Sequence, residues 1–274
     1  MRAHLLGVRG STPAPGPDFV RYGGHTSCVA ISVGDDPPRV VLDAGTGIRS
    51  LTARLAGAAY NGAILVSHLH WDHVQGLPFF VAGDREDASV DLYVPAQDGS
   101  SAVDLLERWM SPPSFPITPG ELLGEWRFHT LEPGCVQIQG LTVTAEQIAH
   151  KGGRTFGYRV FDGSASLAYL PDHAPAAGIT QGALDLAREV DVLLHDAQFV
   201  QAERRLAELY GHATVDDAID FAVQAGARSL VLFHHGPART DDQLEEILAG
   251  LDAPLPVTLA REGQTLSVTS SRTP

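Results

Sequence analysis

The stretch Ser67-His68-Leu69-His70-Trp71-Asp72-His73 places three imidazoles and a carboxylate within six positions. Imidazole nitrogen and carboxylate oxygen suit zinc, manganese or iron. In an extended His68-x-His70 segment both rings point the same way. Asp72 and His73 follow and can face a second ion. The plain alternative is a solvated polar loop, and four ligand-type residues packed this closely argue against it. The chemistry open to such a cluster is hydrolysis by metal-activated water.

The elements around the cluster explain how it could be positioned. The apolar run Ala63-Ile64-Leu65-Val66 reads as a buried strand, so the cluster lies in the loop that leaves a strand end. Further strands are expected over 5–8, 28–33, 39–42, 90–94, 156–161, 166–170, 190–194 and 229–233. The segments 126–131 and 136–148 read as hairpin strands. Helices are expected over 48–56, 101–110, 203–210, 215–225 and 241–250. Another should start just after His73 and aim its positive end at the cluster. Thr214 with Asp217 resembles a capping box. The proline-rich stretch 111–120 reads as a surface loop or lid. Asp43-Ala44-Gly45-Thr46-Gly47 reads as structural punctuation in which Asp43 caps backbone N–H groups; its functional alternative is a wall of the site. Strands flanked by helices in both halves give an α/β layered domain, and nothing in the sequence marks a domain boundary within 1–274.

His150, Asp172, His195, Asp196 and His234 also fall just past expected strands, as do His68, His70, Asp72 and His73. Strand ends in layered α/β folds line the ligand crevice. Each residue alone would be unremarkable; their shared placement points to one site. His235 neighbours His234, and spacing cannot choose between them. His4 and His129 fall within strands and read as structural. His25, His173 and His195 read as outer contacts of the site.

The pattern His-x-His-x-Asp-His resembles that of the metallo-β-lactamase-fold hydrolases. The resemblance runs from Leu6 to about Asp242 and is strongest at the metal motifs. It implies a four-layer αβ/βα sandwich of two mixed β-sheets flanked by helices. It also implies two divalent ions, zinc first, with manganese or iron as alternatives. By motif, His68, His70 and His150 would hold one ion, and Asp72, His73 and His234 the other. Asp172 in Tyr-Leu-Pro-Asp-His would bridge them, and a water or hydroxide between the ions would be the nucleophile. The resemblance places the ligand directly after Leu-x and so favours His234. The stretches Leu193-Leu194-His195-Asp196-Ala197-Gln198-Phe199, Tyr210-Gly211-His212-Ala213-Thr214 and Leu232-Phe233-His234 look like the phosphodiesterase branch, which includes tRNase Z. They make His212 the general acid or phosphate contact, oriented by Asp196, where tRNase Z carries a glutamate. Asp72, Asp196 and His212 are thus the catalytic candidates.

Composition narrows the substrate. The formal charge of −14 and a single lysine, Lys151, disfavour binding of long nucleic acid. From His150 to Asp172 is 22 positions, room for a hairpin but not for the long arm that grips tRNA in bacterial tRNase Z. A small phosphodiester, such as a cyclic nucleotide or related cyclic phosphate, is the preferred reading. Lys151 and Arg154 are candidate phosphate contacts, and His25 and Trp71 candidate substrate contacts. Tyr22, Phe79 and Phe80 are further aromatic candidates for stacking a base, although the two phenylalanines fit a core role better. The alternatives are a lactonase or thioesterase on the same metals, a tRNA 3′-end endonuclease lacking the arm, and a metal-binding module without catalysis. Two cysteines, Cys28 and Cys135, form no disulfide framework. No signal-like or membrane-spanning run is apparent, so a cytoplasmic protein is expected. The resemblance also allows a homodimer, on which the sequence itself is silent.

Overall fold

Runs such as Val192-Leu193-Leu194 are apolar at every position, which suits strands covered on both faces. Leu194 packs into a core between two sheets, and Leu193 packs outward against helices. The structure, a computed structural model describing residues 1–270, is built from this arrangement throughout. One sheet contains β1 (Arg2–Gly7), β2 (Cys28–Ser32), β3 (Val40–Leu42), β4 (Asn61–Leu65), β5 (Ser89–Pro95) and β6 (Glu125–Leu131). The other contains β7 (Gly134–Ile138), β8 (Leu141–Ile148), β9 (Thr155–Phe161), β10 (Ser166–Leu170), β11 (Val192–Asp196), β12 (Leu230–Phe233) and β13 (Val257–Leu259). A last strand, β14 (Thr265–Ser267), returns to the first sheet.

The sheet orders are β14-β1-β2-β3-β4-β5-β6 and β13-β12-β11-β10-β9-β8-β7. Both are mixed: β3 to β6 run parallel beside antiparallel β1 and β2, and β10 to β13 run parallel beside an antiparallel meander of β7 to β10. Leu5, Val29, Leu65, Tyr158, Tyr169 and Phe233 fill the space between the sheets. Helices α1 (Arg49–Arg54), α2 (Trp71–Val74) and α3 (Ala102–Glu107) belong to the first half; Leu51 of α1, Val74 of α2 and Leu105 of α3 cover the first sheet's outer face. In the second half, α4 (Gln181–Ala187), α6 (Val215–Ala225) and α7 (Asp241–Ala249) cover the second sheet through Leu186, Phe221 and Leu244, and α5 (Arg204–Tyr210) precedes α6. The expected two-sheet sandwich with helices on its outer faces is therefore what forms. No helix of the described residues is long and apolar enough to cross a membrane.

Three local expectations are corrected. Segments 126–131 and 136–148 do not form a hairpin with each other. Trp126 and Phe128 pack on the helix side of the first sheet, whereas Val136 and Ile138 join the inter-sheet core, so the chain changes sheet between them. The true hairpin is β7–β8, which divides 136–148 at Gln139-Gly140. The helix expected after His73 begins earlier, at Trp71, and carries Asp72 and His73 itself. At four residues it is too short to offer the anion-binding N-terminus that was expected. Helix α4 and strands β13 and β14 escaped the sequence reading because each is short and weakly patterned.

Candidate metal centre

The cleft lies where β4, β8, β10, β11 and β12 end, and each delivers polar side chains to it. His68 and His70 leave β4 in extended backbone, with ring centroids 4.4 Å apart. Asp72 and His73 follow on α2. His150 comes past β8, Asp172 past β10, Asp196 at the end of β11 and His234 past β12. His212 precedes α6, whose start is fixed by a reciprocal cap between Thr214 and Asp217.

These residues converge as two quartets that share Asp172. One is His68, His70, His150 and Asp172, the other Asp72, His73, His234 and Asp172, with donor atoms within 4.8 Å of one another in each. Oδ2 of Asp172 lies 3.5 Å from Nε2 of both His68 and His150. Oδ1 lies 3.0 Å from Nε2 of both His73 and His234. Nδ1 of His70 is 3.3 Å from His150 Nε2. Tetrahedral bonds of about 2.0–2.1 Å would set ligand atoms about 3.3–3.4 Å apart, which matches these spacings.

A second observation tests the fit. His68 Nε2, His73 Nε2 and Asp172 Oδ1 are buried yet make no hydrogen bond. His73 Nε2 and Asp172 Oδ1 lie 3.0 Å apart without forming one. Leaving such groups unsatisfied costs about 1–3 kcal/mol each. A cation at the convergence point removes that cost, so the donor set fits a dinuclear metal site.

The other nitrogen of most rings is held from behind, which fixes tautomer and ring plane. His73 Nδ1–H donates to Asp43 Oδ2 at 2.7 Å. His150 Nδ1–H donates to the Gly211 carbonyl at 2.6 Å. His68 Nδ1 meets Ser67 Oγ at 3.1 Å. Asp72 accepts from the Ser11 backbone N–H at 2.6 Å. Asp43 is a buried hub that also accepts from the backbone N–H and hydroxyl of Ser67 and from Tyr169 Oη. It orients His73 and does more than punctuate a turn. Its position just past β3 was the available signal, since Asp172 likewise lies just past a strand and Asp196 ends one. Ser11 carried none: a backbone N–H acquires a role only through the fold.

His212 Nδ1–H donates to Asp196 Oδ2 at 2.8 Å, which leaves Nε2 as the other ring nitrogen. The ring stacks on His234 with centroids 5.2 Å apart and lines the cleft with Asp72 and Asp172. Burial pulls the imidazole down, but the Asp196 carboxylate, helped by Asp172 and Asp72, outweighs it and raises the pKa to about 9. Cations at Asp72 and Asp172 would cancel those two contributions and leave that of Asp196. Burial likewise depresses His73, but Asp172, Asp72 and Asp43 together raise it well above the usual histidine range.

His234 and His235 are separated by the backbone. His234 has φ of 58°, a left-handed conformation that a non-glycine residue rarely adopts, and its Nε2 lies 3.1 Å from Asp72 Oδ2. His235 turns away, and its Nε2–H donates to the Ala260 carbonyl at 2.8 Å. Behind the cleft, His195 Nδ1–H donates to the Asp196 carbonyl, so its Nε2 accepts from His173 Nδ1–H at 2.8 Å.

The candidate substrate contacts fare unequally. Trp71 stands at the cleft mouth, 72% exposed. Lys151 Nζ is bonded to the Leu209 carbonyl at the end of α5. Arg154 borders the cleft, but its guanidinium is taken up by Gln147, the Ala96 carbonyl and Glu132. His25 meets Thr46 Oγ1 and lines a different hollow with Pro13, Phe19 and Glu262. Tyr22 and Phe80 are buried, while Phe79 is exposed and packs edge-on against Phe115 of the proline-rich loop.

A two-sheet sandwich with a His/Asp cluster at its strand ends is the architecture of a metallo-β-lactamase-fold hydrolase. The chain belongs to that superfamily: residues 38–235 match the family described as "Beta-lactamase superfamily domain". It is 30% identical over 266 residues to the uncharacterized protein Rv1339 of Mycobacterium tuberculosis (strain ATCC 25618 / H37Rv), covering 93% of this chain and 88% of that one. It is 29% identical over 220 residues to a ribonuclease Z of Limosilactobacillus fermentum, covering 62% and 68%. Among solved structures, a diphosphatase from the PhnP family superposes with a TM-score of 0.71 at 20% identity, covering 98% of each chain.

Proposed function

We propose that this hydrolase is a phosphodiesterase acting on a small phosphodiester, a cyclic nucleotide or a related cyclic phosphate. The carrying observation is His212, an Asp196-oriented imidazole set beside the donor cluster with Nε2 on the side away from Asp196. His68, His70, His150 and Asp172 would hold one divalent ion, and Asp72, His73, His234 and Asp172 the other. Such a pair supplies a nucleophile near neutral pH and neutralises phosphoryl charge. The metals are zinc first, with manganese or iron as alternatives. Asp172 keeps the two halves of the site in register through its two oxygens. His212 carries a proton at neutral pH and gives it from Nε2 to the departing ester oxygen, while Asp196 steadies the imidazolium that this requires. A thioester would not need so well-held a proton donor, because a thiolate, with a thiol pKa of about 8.5, leaves unprotonated.

Substrate size is argued from β9 and β10. They occupy most of the interval between His150 and Asp172 as an antiparallel pair, leaving no arm to reach along a folded RNA. The formal charge of −14 weakens binding of a long polyanion further. The ribonuclease Z relative makes tRNA processing the reading to test against. Purified protein with added zinc or manganese should turn over cyclic phosphodiesters well above lactones, thioesters and precursor tRNA. Turnover of precursor tRNA or a lactone with none of any small phosphodiester would overturn the proposal.

A further inference from the structure

The cleft has two chambers joined across Leu69, His70 and Trp71. The reaction end, about 400 Å³, is bounded by Ser11, Asp72, Asp172 and His212. A side chamber of about 370 Å³ opens on the His68/His70 side only. Together they fall within the range of small-molecule sites. The side chamber is walled by Trp71, Leu105 and Trp109 and edged by Arg108 and the Gly152-Gly153 turn. That turn makes the room: Gly152 and Gly153 have φ of 94° and 139°, and a Cβ on Gly152 would come 2.7 Å from His70 Nε2.

The chemistry of this wall is unusual for so acidic a chain. It has two of the three tryptophans: Trp71 is exposed, while Trp109 is half-buried, with part of its ring against the core on the helix side of the first sheet and its indole nitrogen buried. Trp126, the third, donates its indole N–H to the Gly83 and Leu123 carbonyls. The Trp109 N–H has no partner. Arg108 bonds only the Ser100 hydroxyl and pairs with no carboxylate among the described residues, in contrast to Arg154 with Glu132 and Arg127 with Asp91. Two indoles and a guanidinium that lies near Asp104 but in no ion pair suit a flat heteroaromatic ring with acceptor atoms on its edge.

We propose that this chamber is the base subsite, in which Trp71, Trp109 and Arg108 hold the heteroaromatic base of a nucleotide whose phosphate lies at the reaction end. The inference rests on the phosphodiesterase reading and adds to it: the substrate is a nucleotide, and the chamber sets the preference for it over base-free cyclic phosphates. A bound base stacks on the indoles, and Arg108 donates to its edge.

The test compares kcat/KM for 3′,5′-cyclic AMP and cyclic GMP with that for a base-free ribose cyclic phosphate. In Trp71→Ala, Trp109→Ala and Arg108→Ala the nucleotide-to-base-free ratio should fall, by about tenfold or more for a tryptophan, the size of one lost base–aromatic stack. The loss should sit mainly in KM, and Trp109→Phe should recover much of it. Trp71 and Arg108 are exposed, so their variants answer the question even if Trp109→Ala misfolds. Ratios unchanged within about twofold in all variants would overturn the base subsite while leaving the phosphodiesterase reading intact. If the protein hydrolyses no phosphodiester, fluorescence titration with cyclic AMP and cyclic GMP still decides. Quenching that is lost in Trp71→Phe and Trp109→Phe supports the subsite, and absence of quenching overturns it.

Discussion

Around Oδ1 of Asp172 stand Asp72, His73 and His234, all buried; around Oδ2 stand His68, His70 and His150, of which the His68 and His150 rings are buried and only His70 stands half-open to the cleft. The first group contains a second carboxylate, and His73 is backed by a third, Asp43. The second group is backed by neutral partners, the Ser67 hydroxyl and the Gly211 carbonyl, and His70 borders the open cleft. Negative charge and enclosure both favour a held cation. One half of the site is therefore the more charged, with Asp72 at the cleft edge, and the other is neutral apart from Asp172 and opens through His70. The contrast teaches that two similar donor sets can differ in charge, so that one would hold a cation more tightly than the other.

Breaking the shared element should have the largest effect. Asp172→Ala is expected to reduce hydrolysis to background and to lose at least one metal equivalent, read by metal analysis on the same sample. Retention of both metals with full activity would show that Asp172 does not bridge the halves. Next comes His212→Ala, which should retain both metals and slow turnover by about 10²–10⁴-fold if the imidazole is the acid. The wild type should lose kcat as pH rises through an apparent pKa below the value of about 9 that Asp196, Asp172 and Asp72 set together, and the variant should lack this limb. The sign for stability is the same. His212 is raised above its unfolded value of about 6.5, so its pairing with Asp196 contributes fully below that pH and is lost as pH rises through about 9.

A smaller effect is expected at Asp43→Asn, a choice that tolerates the residue's φ of 62°. Weakening the support of His73 should lower affinity for one ion about 10–100-fold and leave the other nearly unchanged, as titration calorimetry would report. Equal weakening of both ions would erase the distinction between the sockets. The smallest expected difference is in order of release. A limiting chelator should remove first the ion held by His68, His70 and His150. Spectroscopy of a cobalt-substituted sample can follow which set empties, and release from the Asp72 side first would reverse the comparison.

Much of this was legible without coordinates because the chemistry is local or punctuated. His68 to His73 sit within six positions, and the later candidates each follow an expected strand, apolar throughout or alternating, so strand ends could be counted along the chain. The covered strands were visible for the same reason: burial on both faces demands uninterrupted apolar residues. Pairing was not legible in the same way. Whether 126–131 joins 136–148 depends on which face each strand buries, and both segments alternate alike.

What the sequence by itself determined is the inventory and its spacing: the imidazoles, the carboxylates, the strand ends that carry them and a layered α/β domain, with the two-sheet sandwich implied by the family resemblance. Spacing left His234 and His235 open and the resemblance favoured His234; the tertiary structure supplies the reason, a left-handed backbone turn that rotates His234 inward. It also decided that Asp43 braces His73, that Lys151 and His25 are engaged elsewhere, and that Trp109 and Arg108 border the cleft. Those outcomes depend on where a side chain's remaining bonds are satisfied, and the partners lie tens to hundreds of residues away along the chain.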